Sequence, residues 1–208
     1  MSGAQGREGA GRRVLGGEVY ESGKWVLRRR VMAARRALPA AVREAEAAAL
    51  AATALPVEPP SAVCAYWPVG AEPGSPELLD SLLRRGCRVL LPLIRPRGPL
   101  DWAEYAGAAS LRAGPLGLRE PAGPPLGPAA IATAALVLVP ALAVDRHGIR
   151  LGRGGGHYDR TLWLARPSTP LVAVVRDEEV LATVPAQPHD VPVTAALTPR
   201  QGLVALLR

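Results

Sequence analysis

A glycine-rich segment in the last third of the chain carries the most chemical information in this sequence. Gly152 and the triplet at residues 154–156 follow an apolar stretch that predicts a core strand, and they precede a predicted helix that begins near Tyr158. Backbone N–H groups of such a loop and of a helix N-terminus bind anions, and glycine lets the backbone approach a phosphate without a Cβ clash. Arg150 and Arg153 add guanidinium groups that match phosphate oxygens. The segment therefore predicts a phosphate-binding site.

The segment fits neither of two common nucleotide-binding patterns. No Gly-Lys-Ser/Thr follows, so it is not a Walker loop, and His157 occupies the third glycine position of the dinucleotide fingerprint. An ordinary tight turn is the alternative interpretation of the glycines. Asp159, in the first turn of the predicted helix, either complements the helix dipole or supplies a hard oxygen ligand for Mg²⁺ beside a bound triphosphate. The neighbouring arginines favour the magnesium interpretation.

A second group of cations lies near the N-terminus. Lys24 and Arg28 are one helical turn apart, and Arg35 lies near the same face two turns further on. Like charges at this spacing repel each other unless an anion lies between them. The face is therefore either a solvated basic surface or a phosphate clamp. The single Lys of an Arg-rich chain favours the clamp, because an ammonium is a compact point charge that Arg does not always replace.

The composition limits the class of protein. The chain has 208 residues, of which 49% are hydrophobic and 21% charged, and this suits one globular domain rather than a disordered polyelectrolyte. The net charge is +7, and Arg supplies all but one of the 25 cations. Such a balance favours anionic partners such as phosphates and carboxylates. No DNA- or RNA-reading motif accompanies it, so we expect no specific nucleic-acid partner. A basic nucleic-acid-binding protein is the weakest of the alternatives.

Cysteine usage and hydropathy predict the compartment. Cys64 and Cys87 form neither a disulfide framework nor a metal-ligand pair, so we expect a reduced, cytoplasmic protein. The most apolar run, residues 131–144, is shorter than the ~20 residues of a membrane span, and we expect no membrane partner. Residues 1–21 lack a secretory apolar core and are expected to form a flexible tail. Residues 22–208 are expected to form a single α/β domain.

Alternating strands and helices predict a largely parallel sheet with helices on its faces. The predicted helices cover residues 24–38, capped by Ser22, and residues 40–55 and 77–85; the predicted strands cover residues 62–67, 89–94, 136–139, 171–175 and, at the sheet edge, 191–197. Residues 201–207 are expected to form a closing helical turn. The Pro- and Gly-rich residues 95–128 predict a long functional loop.

The glycine segment also resembles a known signature. Pro140, Asp145 and Gly148, followed by residues 150–160, resemble the signature of the 5-formyltetrahydrofolate cyclo-ligase family, also called 5,10-methenyltetrahydrofolate synthetase. The resemblance covers roughly residues 22–204 and is most specific in the glycine segment.

Shorter matches accompany this signature. Lys24 and Arg28 resemble the family's N-terminal Lys-x-x-x-Arg, which contacts ATP, and Glu72 with Ser75 resembles its Glu-x-x-Thr turn, which touches the folate. Trp67 falls at a substrate-lining position. The Glu-Pro pair at residues 120–121 resembles a pair in the family's middle segment.

The resemblance implies a fold and a reaction. The fold is a three-layer α/β sandwich with a mostly parallel central sheet, Rossmann-like and CoA-transferase-like. The reaction is the ATP- and Mg²⁺-dependent conversion of 5-formyltetrahydrofolate to 5,10-methenyltetrahydrofolate, with release of ADP and phosphate through a phosphorylated formyl intermediate. The expected partners are the two small-molecule substrates, folate and ATP, bound by a monomer.

The resemblance also implies site residues. A catalytic role in holding the phosphates falls to Lys24, Arg28, Arg150 and Arg153. The ATP-binding set comprises Lys24, Arg28, Arg150, Leu151, Gly152, Arg153, Gly154, Gly155, Gly156, His157 and Tyr158. The folate-binding set comprises Trp67, Glu72, Gly154, His157 and Tyr158, to which the aromatic residues embedded in the Pro- and Gly-rich loop, Trp102 and Tyr105, are added as candidates for the surroundings of the pterin. Asp159 is the expected Mg²⁺ ligand.

Three positions depart from the family pattern. His157 stands where many members carry Tyr, Gly155 where some carry Lys, and Thr194 where an Asp often serves as the second Mg²⁺ carboxylate. The metal would then rest on Asp159, ATP oxygens and water, with Asp190 as a possible further ligand. The same substitution leaves open a non-catalytic relative that binds nucleotide or folate without turnover.

Overall fold

The computed structural model describes residues 15–207. Three α-helices lie in the N-terminal half: α1 (Leu15–Ala37), α2 (Ala40–Ala52) and α3 (Pro76–Arg84). The strands are β1 (Ala62–Cys64), β2 (Arg88–Leu93), β3 (Asp101–Tyr105), β4 (Leu111–Ala113), β5 (Arg119–Pro121), β6 (Ala134–Pro140), β7 (Ala143–Asp145), β8 (Arg150–Leu151), β9 (Leu171–Val174), β10 (Val180–Leu181), β11 (Ala195–Thr198) and β12 (Gly202–Ala205).

Seven strands form the central sheet, in the order β12-β11-β9-β6-β1-β2-β3. The five inner strands run parallel, whereas β12 and β3 pair antiparallel at the two edges. A three-stranded sheet, β10-β7-β8, and the hairpin of β4 and β5 lie outside it. The predicted α/β fold class is confirmed.

The two faces of the central sheet bury separate hydrophobic cores. Along β6, Leu136 and Leu138 pack into the core beneath α2 and α3, while Val137 and Val139 point to the opposite core. Burial on both faces explains why this strand is apolar at nearly every position. The second core is covered by two 3₁₀ helices, Pro128–Thr133 and Leu162–Leu164, instead of long α-helices.

Helix α1 packs against the small sheet and is fixed there by a buried arginine. Arg35 donates to both carboxylate oxygens of Glu179 at 2.7 Å and to the carbonyl oxygen of Ala141, which follows β6, at 2.7 Å. Val31 packs with Leu142 and its neighbours on the small sheet. This contact brings the N-terminal cations of α1 to the carboxyl end of the central sheet.

Several predicted boundaries are wrong. Helix α1 begins at Leu15, so Ser22 lies within the helix instead of capping it. Residues 15–21 are therefore helical, and the rest of the expected tail lies outside the described residues. The expected closing helical turn is the edge strand β12, so β11 is an inner strand.

The predicted long loop is also corrected. Residues 95–128 contain β3, β4 and β5, because β3 pairs with β2 and the other two strands pair with each other.

In the part of the chain that the structure describes, no helix is both long and apolar enough to cross a bilayer.

Candidate functional site

A tight hairpin positions the glycine segment. Strands β7 and β8 pair antiparallel, and the Asp145 carboxylate between them accepts hydrogen bonds from the backbone N–H groups of His147 and Ile149 at 2.9 and 3.0 Å. Gly148 adopts φ 83°, and a Cβ there would overlap the carbonyl oxygen of Val193. Glycine is required at this turn, which directs the following residues into the cleft.

The loop after β8 lies against helix α1. The Arg28 Nε atom donates to the carbonyl oxygen of Gly152 at 2.9 Å, and the guanidinium lies 3.7 Å from where a Cβ of Gly154 would stand. Gly154 and Gly156 adopt φ 104° and 66°, which favour glycine. The prediction of an α-helix that begins near Tyr158 is wrong, because the glycine segment is followed by a turn and then by a 3₁₀ helix. An anion at this loop would therefore meet the amides of the loop and the nearby cations, without an α-helix N-terminus.

Arg150 and Asp159 form an ion pair at the base of the loop. The Arg150 Nη2 atom lies 2.6 Å from the Asp159 Oδ1 atom, and the Arg150 side chain is only 3% exposed. Two neighbouring polar atoms, the Arg150 Nε and the Tyr158 hydroxyl, are buried without a hydrogen-bond partner among the side chains described from residue 23 onward and the described backbone. Burial, aided by the Glu72 carboxylate, raises the pKa of the Tyr158 hydroxyl, which therefore remains a donor. Two unmatched buried donors favour a polar ligand here.

Lys24 forms a second ion pair across the cleft. Its Nζ atom lies 2.8 Å from the Asp190 Oδ2 atom, and both side chains are 7% exposed. The backbone N–H of Gln187 also donates to this carboxylate oxygen at 2.7 Å. The Lys24 ammonium is therefore held in place by a carboxylate 166 positions away in the sequence.

A third ion pair joins the glycine segment to the turn after β1. The Arg153 Nη2 atom lies 3.0 Å from the Glu72 Oε1 atom. The other oxygen of Glu72 accepts the backbone N–H of Val69 at 3.0 Å, so the carboxylate is oriented by its own turn. The expected nucleotide segment and the expected folate turn are thus in direct contact.

An aromatic wall continues from this turn. The Trp67 ring packs against the Tyr105 ring, with the ring centroids 6.1 Å apart. The Cζ atom of Arg119 lies over the Trp67 ring, 5.5 Å from its centroid. The Tyr105 hydroxyl donates to the Asp80 Oδ1 atom of α3 at 2.8 Å. Trp67 lines the cleft, whereas Tyr105 supports it from behind.

The described residues enclose a cleft of about 420 Å³. The structure brings most of the predicted residues to its lining: Lys24, Arg28, Trp67, Glu72, Arg150, Gly152, Arg153, Gly154, Gly155, Gly156, His157, Tyr158 and Asp159. Three predictions are corrected. Leu151 packs in the core beneath α1, Trp102 is fully buried in the second core, and Tyr105 is 2% exposed behind Trp67.

Sequence reasoning missed other lining residues. Tyr66, Arg119 and His189 were not predicted, Arg35 was named only as a cation near the face of Lys24 and Arg28, and Asp190 was named only as a further metal ligand. A signal for Arg119 was available, because it directly precedes the Glu-Pro pair that resembles the family. The neighbouring Glu120 carboxylate accepts the backbone N–H of Ile94 at 2.7 Å. Arg119 and Glu120 both line the cleft, so the hairpin contributes a cation and a hydrogen-bonded carboxylate to it.

The acidic side chains limit how a metal could bind. The described side chains, which begin at residue 23, include no cluster of three His, Cys, Asp or Glu that could hold a metal ion. The Thr194 hydroxyl is engaged with the backbone of Leu171 and supplies no carboxylate. Asp159 lines the cleft beside cationic groups. This donor set fits an ion that takes one or two carboxylates and completes its shell with water and phosphate oxygens, as Mg²⁺ does.

Comparison with known proteins identifies the family. The model of the 5-formyltetrahydrofolate cyclo-ligase family matches residues 20–199. The chain belongs to this family.

Individual relatives agree. A 5-formyltetrahydrofolate cyclo-ligase of Mycolicibacterium smegmatis is 51% identical over 86% of this chain and 95% of its own length. That of Escherichia coli K12 is 31% identical over 72% of this chain and 86% of its own. The solved structure of 5,10-methenyltetrahydrofolate synthetase from Aquifex aeolicus superimposes on this chain with a TM-score of 0.75 at 25% sequence identity. The superposition covers 89% of this chain and 93% of the Aquifex chain. That of Mycoplasma pneumoniae, at 17% identity and a TM-score of 0.66, shares the fold over 83% of this chain and 96% of its own.

Proposed function

We propose that this protein converts 5-formyltetrahydrofolate to 5,10-methenyltetrahydrofolate, with ATP hydrolysed to ADP and phosphate and Mg²⁺ as the cofactor. Membership of the cyclo-ligase family supports this activity. We further propose that the protein acts as a monomer in the cytoplasm on these small molecules, without a nucleic-acid or membrane partner.

The contact between Arg153 and Glu72 is the observation that carries the proposal. Arg153 belongs to the glycine segment that would hold the nucleotide, and Glu72 belongs to the turn that would hold the folate. Phosphoryl transfer between two substrates requires their reacting atoms to be adjacent and aligned. One cleft lined by both segments supports such an arrangement.

The reaction needs activation of a poor electrophile. The formyl oxygen attacks the γ-phosphorus of ATP, a new O–P bond forms, and the bond between the γ-phosphorus and the bridging oxygen breaks to release ADP. N10 of the folate then attacks the formyl carbon. The C–O bond breaks, phosphate departs with the former formyl oxygen, and N10 loses its proton to solvent. No protein nucleophile takes part, so positioning and charge stabilisation carry the rate.

The cations of the cleft would hold the phosphates. Lys24, Arg150 and Arg153 each pair with a carboxylate in the free protein, and Arg28 binds a loop carbonyl. A triphosphate would replace these partners and receive charge-assisted hydrogen bonds. Asp159 would hold Mg²⁺, which when bound neutralises charge that develops on the phosphate oxygens.

An absorbance assay tests the proposed activity. The purified chain is incubated with 5-formyltetrahydrofolate, ATP and Mg²⁺, and formation of the methenyl product is followed, with reactions lacking ATP as controls. We expect product only in the complete mixture. Calorimetric binding of ATP or folate without any product would identify the non-catalytic relative instead. Tight, salt-dependent binding to generic nucleic acid without either activity would favour the third alternative.

The magnesium assignment has its own test. Asp159→Asn keeps the shape of the side chain but removes its charge, so we expect half-maximal activity at a Mg²⁺ concentration raised by about tenfold. Asp177→Asn serves as the control, because that carboxylate lies outside the cleft and binds Thr198. Overlapping Mg²⁺ titrations for wild type and Asp159→Asn would refute the assignment.

A further inference from the structure

The cations that line the cleft differ in how they are neutralised. Six Lys or Arg side chains line it within the described residues. Four of them pair with a carboxylate: Lys24 with Asp190, Arg35 with Glu179, Arg150 with Asp159 and Arg153 with Glu72. Among the side chains that the structure describes, those of residues 23–207 apart from Leu116, no carboxylate lies within salt-bridge distance of Arg28 or Arg119, and the two side chains hydrogen-bond to backbone carbonyls.

The two unneutralised cations lie on different walls. Arg28 lies against the glycine segment, where the proposed function places the triphosphate. Arg119 lies on the hairpin of β4 and β5, over the Trp67 ring. Its Nη2 atom donates to the carbonyl oxygens of Ala108 and Leu111 at 3.2 and 3.4 Å, so the side chain is oriented while remaining exposed. A triphosphate bound at the glycine segment would lie on the opposite wall, so the proposed function names no ligand for Arg119.

The surroundings of Arg119 are suited to an aromatic group that carries an anion. Trp67, Ile94 and Leu118 line the cleft beside it and offer apolar surface. Tyr105 packs behind Trp67 and fixes the ring. A guanidinium above an aromatic face can keep that stacking while its N–H groups bind a carboxylate in the plane of the fork.

We propose that Arg119 binds a carboxylate of the glutamyl tail of the folate substrate. This inference rests on the proposed function, and it assigns the tail to the wall formed by the β4–β5 hairpin. A folate carries an aromatic benzoyl group followed by a glutamate, which matches an apolar surface with one accessible guanidinium at its rim. Arg119 is a binding residue only, because its ligand is remote from the formyl group that reacts.

Two substrates separate the tail from the rest of the molecule. The first is 5-formyltetrahydrofolate, and the second is its neutral analogue in which methylamine replaces the glutamate. In the wild-type protein we expect the KM of the neutral analogue to be about tenfold higher, as for loss of one charge-assisted hydrogen bond. We expect kcat and the KM for ATP to be the same with both compounds.

Substitution of Arg119 should remove this difference. Arg119→Gln should raise the KM for 5-formyltetrahydrofolate about tenfold and leave that of the neutral analogue unchanged. Arg112→Gln is the matched control, because Arg112 is exposed on the same hairpin and does not line the cleft. Arg112→Gln should behave as wild type with both compounds.

Three outcomes would overturn the assignment. Equal KM values for the two compounds in the wild-type protein would do so without any variant, even if Arg119→Gln failed to fold. An unchanged KM in a folded Arg119→Gln would do so as well. An equal rise for both compounds would show that Arg119 only supports Trp67.

Failure of the proposed function would look different. The wild-type chain would then turn over neither compound. Dissociation constants of the two compounds, measured by calorimetry, would decide the Arg119 assignment in that case, because a tail contact still requires tighter binding of the charged compound.

Discussion

The two walls of the cleft are built by different interactions. The wall that carries the glycine segment is held by ion pairs between elements far apart in sequence, such as Lys24 with Asp190 and Arg153 with Glu72. The aromatic wall is held by ring packing and by one hydroxyl bond, from Tyr105 to α3. An ion pair exchanges its partner when another anion arrives, whereas packed rings keep their positions. The first wall is suited to a highly charged ligand and the second to a flat, mainly apolar one.

The comparison predicts its largest effect at Lys24. Lys24→Ala removes a buried ammonium and leaves the Asp190 carboxylate buried without its cation. We expect turnover to fall by at least ~100-fold at saturating ATP, as for loss of a charged donor to a transition state. Arg36→Ala, an exposed change on the same helix, is the control for kcat and thermal unfolding. A near-normal kcat in Lys24→Ala would show that the ion-paired wall does not hold the phosphates.

Arg153 tests whether the walls communicate. Arg153→Ala removes the contact with Glu72 and one guanidinium of the glycine segment, so we expect turnover to fall by at least ~100-fold as well. Steady-state kinetics with each substrate varied in turn measure the effect. Arg97→Ala, at an exposed position outside the cleft, should leave the kinetics unchanged. Wild-type rates in Arg153→Ala at saturating ATP would contradict the phosphate role.

Tyr105 gives a smaller effect on the other wall. Tyr105→Phe keeps the ring behind Trp67 but removes the hydrogen bond to Asp80. We expect the free energy of unfolding to fall by about 1 kcal/mol, with the KM for ATP unchanged. Urea denaturation and steady-state kinetics check both values. A change in the KM for ATP without loss of stability would show that the two walls are not independent.

His157 gives the smallest effect, through pH. Burial, aided by the nearby Arg160 charge, lowers the pKa of His157 below its ordinary value of 6.5. The unfolded chain therefore takes up a proton at this histidine at a higher pH than the folded protein does. The contribution of His157 to stability is fully present above pH 6.5 and is lost as the pH falls through the lowered pKa of the folded state.

Urea unfolding between pH 5 and 7.5 measures this contribution. His157→Gln should flatten the pH dependence of the unfolding free energy relative to the wild-type protein. Identical pH profiles for wild type and His157→Gln would show that the folded protein does not disfavour His157 protonation.

The sequence was sufficient to predict the residues of the glycine wall, but it was insufficient to predict which aromatic residues line the other wall. Local spacing predicted Lys24, Arg28 and the glycine segment, because each lies in a short motif with its own chemistry. The partners of these cations could not be predicted, since Asp190 and Glu72 meet them only through the parallel sheet.

The aromatic residues show the opposite case. Trp67 lines the cleft, whereas Tyr105 packs behind it. Which of the two rings reaches the cleft depends on how deeply each is packed, and composition does not reveal this. Trp102 was expected near the folate because its segment is rich in Pro and Gly. Pairing of β3 with β2 buried it instead, and tertiary pairing overrode the local signal.

The buried contact of Arg35 with Glu179 fixes one point of α1, and the position of Lys24 depends on that point. Eleven residues separate Arg35 from Lys24, a length of about 16 Å along a helix axis. A tilt of about 5° around this pivot displaces the ammonium by about 1.4 Å, on the scale at which misplacement impairs catalysis. The position of Lys24 therefore depends on a contact three turns away, so substitutions that loosen this contact should alter turnover by displacing the ammonium, although the residues that line the glycine wall are unchanged in type.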